Sequence, residues 1–315
     1  MKNRGRKRMI YVLVFLVAFL ISAFVRIQFL GGAPAKLLEV DWNEDTGTIY
    51  SDLNYENGNN HKYDLYIPSG LNKKEEQFLI VYIHGGSFNS GKKEDGDGWC
   101  KYFATKGYIT ATIDYTLQTH GEEATIDLIN DEIGHAVMAM DVKLKELGYQ
   151  VHAMAASGVS AGGTLAMNLA YNGRSAIPVK FVFQMSGPTY FDPKDWGLLM
   201  KVDHLKTKEE FVEMMTGYKG DITTEACKAA IDRISPASLE GKNPVPTLLG
   251  YGLIDHCVPQ NQKHLLMDEL EKYDVPYDYI AFPKSNHGMY NDLDKTQEFM
   301  DKTLECCEKY FKNGL

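Results

Sequence analysis

The stretch VHAMAASGVSAGG, residues 151 to 163, carries the strongest local signal in the chain. Val151 to Ala156 is a short apolar run of the kind that forms a buried strand, and residues 161 to 171 have a helical composition. Between them, Gly158-Val159-Ser160-Ala161-Gly162-Gly163 places a serine among small residues. A strand, a sharp turn and a helix in this order expose a serine hydroxyl at the edge of a sheet, so Ser160 is a candidate nucleophile.

Short apolar runs recur along the chain, and helical stretches separate them. The predicted strands are Gln77 to His84, Tyr108 to Asp114, Val151 to Ala156, Val179 to Met185, Thr247 to Tyr251 and Tyr277 to Phe282. The predicted helices are residues 124–147, 161–171, 261–273 and 294–309. Residues 50–68 resemble an antiparallel hairpin. This alternation predicts an α/β fold, with a mostly parallel sheet covered by helices on both faces.

Residues 190–234 interrupt this alternation. They contain no strand signal over 45 residues and are rich in methionine and aromatic side chains. Two interpretations remain open at this point. The segment is either a set of ordinary packing helices or a helical cap inserted over a pocket, and in the second case Trp196 is a candidate substrate contact.

Charge is distributed unevenly along the 315 residues. Residues 1–38 contain seven lysines and arginines and no acid, whereas residues 39–315 hold the other 26 basic residues against all 42 acidic ones. The larger part therefore has a formal charge of -16. Because such a body repels phosphate backbones, we expect no nucleic-acid partner. We divide the chain into a tail, membrane segment and linker at 1–38 and one domain at 39–315.

The membrane prediction rests on Met9 to Val25, seventeen residues of which only Ser22 is clearly polar. A helix of this length spans about 25 Å, near the lower limit for crossing a bilayer. Five basic residues precede it, which favours a cytoplasmic N-terminus and an extracytoplasmic domain. The alternative is a cleaved signal peptide and a secreted protein, because Ala33-Pro34-Ala35 superficially fits a cleavage site.

A second glycine-rich segment, His84-Gly85-Gly86-Ser87-Phe88, follows the first predicted strand of the parallel sheet. Paired glycines let backbone amides approach a ligand without hindrance from Cβ atoms. Gly85 and Gly86 are therefore candidate donors to an oxyanion, together with the amide of Ala161 at the start of the helix after Ser160. Phe88 is a candidate substrate contact, and His84 is interpreted as a structural histidine.

An acid and a base follow late strands in the order that this architecture requires. Asp255 comes just after the run Thr247 to Tyr251, and His287 follows Tyr277 to Phe282 in a loop that contains Gly288. A histidine in this position serves as general base, and a carboxylate fixes its tautomer. His256 and Cys257 have no neighbours at metal-ligand spacing along the chain, so no metal site is expected.

These segments together resemble the α/β-hydrolase superfamily over residues 45–312. HGGSF, GVSAGG and LIDHCVP resemble the bacterial esterase and lipase group related to hormone-sensitive lipase and to acetyl-xylan or feruloyl esterases. The resemblance implies an eight-stranded sheet and a catalytic triad of Ser160, Asp255 and His287. It also implies an oxyanion hole and no metal or organic cofactor. Ser87 departs from the hormone-sensitive-lipase pattern, which has a third glycine there.

The expected activity is hydrolysis of short-acyl or carbohydrate-linked carboxylic esters through an acyl-enzyme. A serine amidase or exopeptidase of the same fold would use the same residues and remains an alternative. A non-catalytic surface binding module is a third possibility. The residues give no indication of the oligomeric state.

Overall fold

The computed structural model describes residues 38–58, 61–118 and 124–312. These residues contain one eight-stranded sheet in the order β1-β2-β4-β3-β5-β6-β7-β8. The strands are β1 (Gly47–Asn54), β2 (Lys62–Pro68), β3 (Gln77–Ile83), β4 (Ile109–Ile113), β5 (Val151–Val159), β6 (Val179–Met185), β7 (Thr247–Gly252) and β8 (Tyr277–Phe282). Strand β2 is antiparallel to β1 and β4, and all other neighbouring pairs are parallel. The predicted hairpin and mostly parallel sheet are confirmed.

Helices cover both faces of this sheet. The α-helices are α1 (Asp97–Ala104), α2 (Ile126–Glu146), α3 (Ala161–Tyr171), α4 (Gly197–Val202), α5 (Lys208–Thr216), α6 (Glu225–Ile234), α7 (Gln262–Lys272) and α8 (Leu293–Cys307). Alternate residues of β3 point to opposite faces. Val81 packs in one core with side chains of α2 and α3, whereas Ile80 packs in another with Phe103 of α1 and Phe299 of α8. The prediction of helices on both faces is therefore confirmed.

The predicted elements agree with the structure best where the apolar pattern is strongest. Helix α3 and strands β6 and β8 have the predicted bounds. Strand β5 is longer than predicted and runs to Val159, because Ser157 and Gly158 still pair with β3 and β6. Helix α1 has no predicted counterpart, since it is short and begins with Asp97-Gly98, a dipeptide typical of turns.

Residues 190–234 form the three helices α4 to α6. An aromatic stack organises the segment, with the Trp196 ring 5.6 Å from Phe191 and 6.5 Å from Phe211 between centroids. The segment is fixed to the main body by Asn168 of α3, whose side-chain amide donates to the carbonyl of Ile234 at 2.8 Å. The helices therefore pack firmly against the sheet domain, and their role as a cap stays a prediction.

The predicted membrane segment, Met9 to Val25, lies outside the described residues, as does nearly all of the tail and linker predicted at 1–38. Across the ranges that the structure describes, no helix combines the length and the hydrophobicity needed to cross a bilayer. The membrane anchor and the domain boundary at residue 38 thus remain predictions from the sequence.

The parallel arrangement sets the location of the site. The carboxyl ends of β3, β5, β7 and β8 lie at the same edge of the sheet, because these strands run in one direction. The loops that leave this edge carry Gly85, Ser160, Asp255 and His287, respectively. Open parallel sheets bind ligands in the crevice outside this edge.

Candidate active site

Ser160 occupies a strained turn between β5 and α3. Its backbone has φ 57° and ψ -127°, a conformation that residues other than glycine rarely adopt. Small neighbours make the turn possible, since a Cβ at Gly162 would lie 2.0 Å from the carbonyl oxygen of Ile83. A Cβ at Gly158 would lie 2.4 Å from the backbone of Gly162. The amide of Ser160 donates to the Met185 carbonyl at 2.8 Å, which ties the turn to β6.

Ser160, His287 and Asp255 form a continuous chain of hydrogen bonds. The Nε2 atom of His287 lies 2.9 Å from Ser160 Oγ, and its Nδ1 atom lies 2.8 Å from Asp255 Oδ2. The other carboxylate oxygen of Asp255 accepts the backbone amides of Cys257 at 2.8 Å and Val258 at 3.1 Å. Because an ionised carboxylate only accepts, Nδ1 carries the imidazole proton and Nε2 can accept the proton of the serine hydroxyl.

The charge of Asp255 is stabilised by its partners. The side chain is 1% exposed, and burial by itself would raise the pKa of the carboxyl. The hydrogen bond and charge of His287 and the two backbone amides outweigh burial and hold the pKa of Asp255 below its ordinary value. Asp255 is therefore ionised at neutral pH and can orient the imidazole.

A polar network that the sequence did not reveal supports the His287 loop. Asp292 is 2% exposed, and its Oδ2 atom accepts the hydroxyl of Ser285 at 2.7 Å and the amide of Lys284 at 2.9 Å. The amide of Ile254 donates to the Ser285 carbonyl at 3.0 Å, which joins the loops after β7 and β8. Asp292 thus fixes the loop that carries His287, and the bond between Ile254 and Ser285 ties this loop to the one that carries Asp255.

The predicted oxyanion donors lie beside the serine. A Cβ built on Gly85 would be 3.2 Å from the Cβ of Ser160 and 2.7 Å from the carbonyl oxygen of Val159, so only glycine fits there. Gly86 has a φ of 113°, and its carbonyl accepts the amide of Ser90 at 2.9 Å. Ala161 is the first residue of α3, where backbone amides have no partner within the helix. The arrangement suits an anion next to Ser160 Oγ.

His84 is buried next to this loop, and its contacts suit a structural residue rather than a general base. It is 1% exposed, and its ring stacks on Tyr115 with centroids 4.2 Å apart. Burial lowers the pKa of His84, so the imidazole is neutral and its Nδ1 atom can donate to the Gly85 carbonyl at 2.7 Å. Tyr115 donates its hydroxyl to the carbonyl of His84 at 2.9 Å. These contacts agree with the structural interpretation of His84.

A cleft of about 550 Å³ opens beside Ser160 and His287. Its walls combine aromatic and methionine side chains with one carboxylate, namely Tyr82, Trp99, Met185, Tyr290 and Asp95. The ring of Trp99 stacks on Tyr82 with centroids 5.9 Å apart. The sequence analysis missed Trp99 because α1 was not predicted, and it missed Tyr290 although this residue follows His287 by only three positions.

Phe88 and Trp196, the two predicted substrate contacts, do not line this cleft. They are 1% and 2% exposed, and both pack against Phe191. The indole nitrogen of Trp196 donates to the Tyr190 carbonyl at 3.0 Å. Both rings are thus buried in an aromatic cluster away from this cleft, whereas Trp196 also borders the small cavity next to Asp255. Their role as substrate contacts stays a prediction.

The expectation that Cys257 lacks metal-ligand neighbours holds along the sequence but not in space. One ligand atom each from Asp255, Cys257 and His287 lies within 4.8 Å of the others. The sequence could not reveal this group, because Cys257 and His287 are 30 positions apart and only the pairing of β7 with β8 brings them together.

Comparison with known proteins agrees with this geometry. The model of the BD-FAE family matches residues 63–270, about two thirds of the chain. The chain belongs to the BD-FAE family. The match includes Gly85, Ser160 and Asp255 and ends before His287. The predicted resemblance to the esterase and lipase group of α/β-hydrolases is confirmed.

Other similar proteins extend the comparison beyond this BD-FAE match. Esterase LipI of Mycobacterium tuberculosis is 28% identical over 123 residues, which are 38% of this chain and 37% of LipI. The chain thus spans little more than a third of that relative. Esterase B from Lactobacillus rhamnosis has a similar fold, with a TM-score of 0.69 and 17% identity, over 95% of this chain and 97% of that one.

Two further solved structures share the fold of this BD-FAE chain. A truncated carbohydrate esterase from gut microbiota has a TM-score of 0.66 and 18% identity, covering 85% of this chain and 99% of that one. The esterase Est2 from Thermogutta terrifontis has a TM-score of 0.65 and 19% identity, covering 84% and 92%. Likeness at this level of identity establishes the architecture.

The lowered pKa of Asp255 predicts how the stability of this BD-FAE protein depends on pH. A carboxyl whose pKa is lower in the folded state stabilises the fold above its unfolded pKa, about 3.9, and loses this contribution as the pH falls through its folded pKa. Asp255→Asn should therefore flatten the acid-side decline in the free energy of unfolding, measured by urea titration between about pH 5 and pH 2. Asp45→Asn, which removes an exposed carboxylate, is the control and should keep the wild-type slope. Parallel curves for wild type and Asp255→Asn would show that the carboxylate is not stabilised as described.

Proposed function

We propose that the protein hydrolyses carboxylic esters through an acyl-enzyme on Ser160. The observation that carries the proposal is the hydrogen-bonded chain from Ser160 Oγ to His287 to the buried Asp255, with distances of 2.9 and 2.8 Å. A serine hydroxyl becomes a useful nucleophile only beside a base that can take its proton, and this chain supplies one with a fixed tautomer.

The proposed reaction has two stages, acylation of Ser160 and hydrolysis of the acyl-enzyme. Ser160 Oγ attacks the ester carbonyl while His287 Nε2 takes the hydroxyl proton. The negative charge that develops on the carbonyl oxygen is stabilised by the amides of Gly85, Gly86 and Ala161. The tetrahedral intermediate then expels the alcohol, which receives its proton from His287. Water attacks the acyl group with His287 again acting as base, and release of the carboxylic acid restores Ser160.

The oxyanion loop is prepared for this charge before substrate binds. Gly86 is fixed by Ser90, whose amide and hydroxyl both donate to the Gly86 carbonyl at 2.9 Å. His84 fixes Gly85 in the same way through its carbonyl. The Gly86 amide shares a peptide unit with the Gly85 carbonyl, and the Gly85 amide shares one with the His84 carbonyl, which accepts the hydroxyl of Tyr115. Because both of these units are held by hydrogen bonds, the donors need little reorganisation when the carbonyl oxygen becomes negative. The scheme requires no metal or organic cofactor.

We propose short-acyl or carbohydrate-linked esters as the substrate class. A cleft of about 550 Å³ accommodates a small ligand, and the half-buried ring of Trp99 and the exposed ring of Tyr290 offer flat apolar surfaces beside hydroxyl and carboxylate groups. The proteins named as esterases among the relatives and structural neighbours, including the carbohydrate esterase, support an ester as substrate. Asp95 at the cleft disfavours anionic substrates by charge repulsion.

We further propose that Met9 to Val25 anchor the protein in the cell membrane, with the N-terminus in the cytoplasm and the catalytic domain outside. The apolar run and the five preceding basic residues support this orientation. Secretion after cleavage near Ala33 is the alternative.

Residues 190–234 are proposed as a cap on the Asp255 side of the site, where Asp195 and Leu199 border a small cavity next to Asp255.

Replacement of the nucleophile gives the first prediction. Ser160→Ala should lower kcat for p-nitrophenyl acetate by at least roughly three orders of magnitude, because the acyl-enzyme cannot form. A fluorophosphonate probe should label the wild-type protein at Ser160 and fail to label the variant. Ester hydrolysis by Ser160→Ala above a heat-inactivated control would refute the assignment, and an unlabelled, inactive wild type would favour a binding module.

Tyr290 gives a prediction about selectivity. It is 44% exposed and lines the cleft, so Tyr290→Ala should lower kcat/KM for acetylated xylo-oligosaccharides about two- to tenfold relative to methyl acetate, through loss of ring contacts. Tyr273→Ala removes a comparably exposed ring, 40% accessible, that does not line the cleft, and should leave the ratio unchanged. If Tyr290→Ala and Tyr273→Ala had the same ratio of kcat/KM values for the two substrates, the carbohydrate would bind away from Tyr290.

The anchor proposal predicts where the mature chain is found. It should sediment with membranes, keep residues 9–25 by mass spectrometry, and be digested by protease added outside cells stripped of their wall. A mature chain in the medium that begins near residue 36 would support the secreted alternative. Protection of the domain from external protease would contradict both.

A further inference from the structure

Cys257 differs from the other cysteines in its position. Cys100, Cys227, Cys306 and Cys307 are buried, whereas Cys257 is exposed. Its backbone amide donates to Asp255 Oδ1 at 2.8 Å, so the turn after β7 folds back on the carboxylate and brings the thiol with it. The proposed ester hydrolysis uses this amide but not the sulfur atom, which leaves the thiol without a role.

The thiol belongs to a group of three donors suited to a metal ion. One ligand atom each from Asp255, Cys257 and His287 lies within 4.8 Å of the other two. Ligands of a tetrahedral zinc ion at about 2.0 to 2.3 Å from the metal are about 3.5 Å apart, so small side-chain movements suffice. Carboxylate, thiolate and imidazole together are a set typical of zinc rather than of magnesium or calcium.

A separate cavity gives a route to these donors. A cavity of about 320 Å³ on the side of α4 is lined by Asp255 and Cys257 together with Asp195, whose carboxylate adds negative charge. The ammonium group of Lys263 lies close enough to interact with the charge of Asp255, but it donates its hydrogen bonds to Gln260, at 3.0 and 2.6 Å. Asp255 and Cys257 line this cavity and not the substrate cleft, so a divalent cation can reach these two donors without entering the cleft.

We propose that Asp255, Cys257 and His287 form an inhibitory site for Zn²⁺, with water as the fourth ligand. On binding, the Cys257 thiol loses its proton to solvent and its sulfur coordinates the ion. The ion takes the place of the proton on His287 Nδ1, and that proton moves to Nε2. Three protein ligands and one water complete a tetrahedral shell.

The inhibition follows from the position of the imidazole proton. With Zn²⁺ on Nδ1 and the proton on Nε2, His287 has no free lone pair toward Ser160 and cannot accept the hydroxyl proton. Asp255 is engaged by the ion and no longer stabilises an imidazolium. This inference rests on the proposed function for its effect on activity, whereas binding of the metal itself does not depend on it.

The test uses the full-length protein and two independent readouts. Co²⁺ replaces Zn²⁺ in a tetrahedral site and, when bound to a thiolate, absorbs in the near ultraviolet. Wild type should develop this band on titration with Co²⁺ and lose it when Zn²⁺ is added. Separately, Zn²⁺ should inhibit hydrolysis of p-nitrophenyl acetate, and a chelator should restore the rate.

Two variants test whether the Cys257 sulfur is responsible for zinc binding and inhibition. Cys257→Ser keeps the backbone amide that holds Asp255, and it should lose the cobalt band and need at least about tenfold more Zn²⁺ for half inhibition of its own uninhibited rate. His256→Gln alters an exposed neighbouring imidazole outside the group and should behave as wild type. Equal zinc sensitivity of wild type and Cys257→Ser, or no thiolate band in wild type, would overturn the site. A thiolate band in a protein without esterase activity would uphold the metal site and refute the proposed function instead.

Discussion

The site depends on the close approach of two backbones, where the turn after β5 packs against the end of β3. Gly162 lies so near the carbonyl of Ile83 that no side chain fits between them, and Gly158 is equally restricted by Gly162. This contact forces Ser160 into its strained conformation and sets α3 directly behind it. It also brings Gly85, the first loop residue beyond His84, alongside Ser160. The proposed nucleophile and the proposed oxyanion donors are therefore positioned by one packing constraint.

The positions of Asp255 and His287, the proposed acid and base, depend on a second pair of strands. Strands β7 and β8 are neighbours at the edge of the sheet, so the loops that follow them meet beyond it. The amide of Ile254 joins them by donating to the Ser285 carbonyl, and Asp292 fixes Ser285. The amides of Cys257 and Val258 stabilise the negative charge of Asp255. The same turn that stabilises the carboxylate places the Cys257 sulfur beside it, so catalytic geometry and the proposed metal sensitivity share one structural cause.

The sequence predicted the features that depend on the local pattern of residues, namely the bounds of several elements and the tight turns. The bounds of α3, β6 and β8 followed from apolar runs with clear ends, and the glycines around Ser160 and at Gly85 and Gly86 indicated tight turns directly. Side-chain environment could not be predicted in this way. Phe88 lies in a glycine-rich turn and Trp196 in a loop before a short helix, yet both are buried. Their rings pack against Phe191, and only the fold brings Phe88 to that residue. The proximity of Cys257 to His287 likewise depends on strand order.

The central claim is that Ser160 carries the acyl group during turnover. The most direct measurement is mass spectrometry of the protein mixed with p-nitrophenyl acetate and quenched in acid within the first turnover. The account predicts one acetyl group on the peptide that contains Ser160, formed with a stoichiometric burst of nitrophenol and absent from Ser160→Ala. Steady ester hydrolysis with no burst and no acetylated Ser160, or with the acetyl group on another residue, would contradict it.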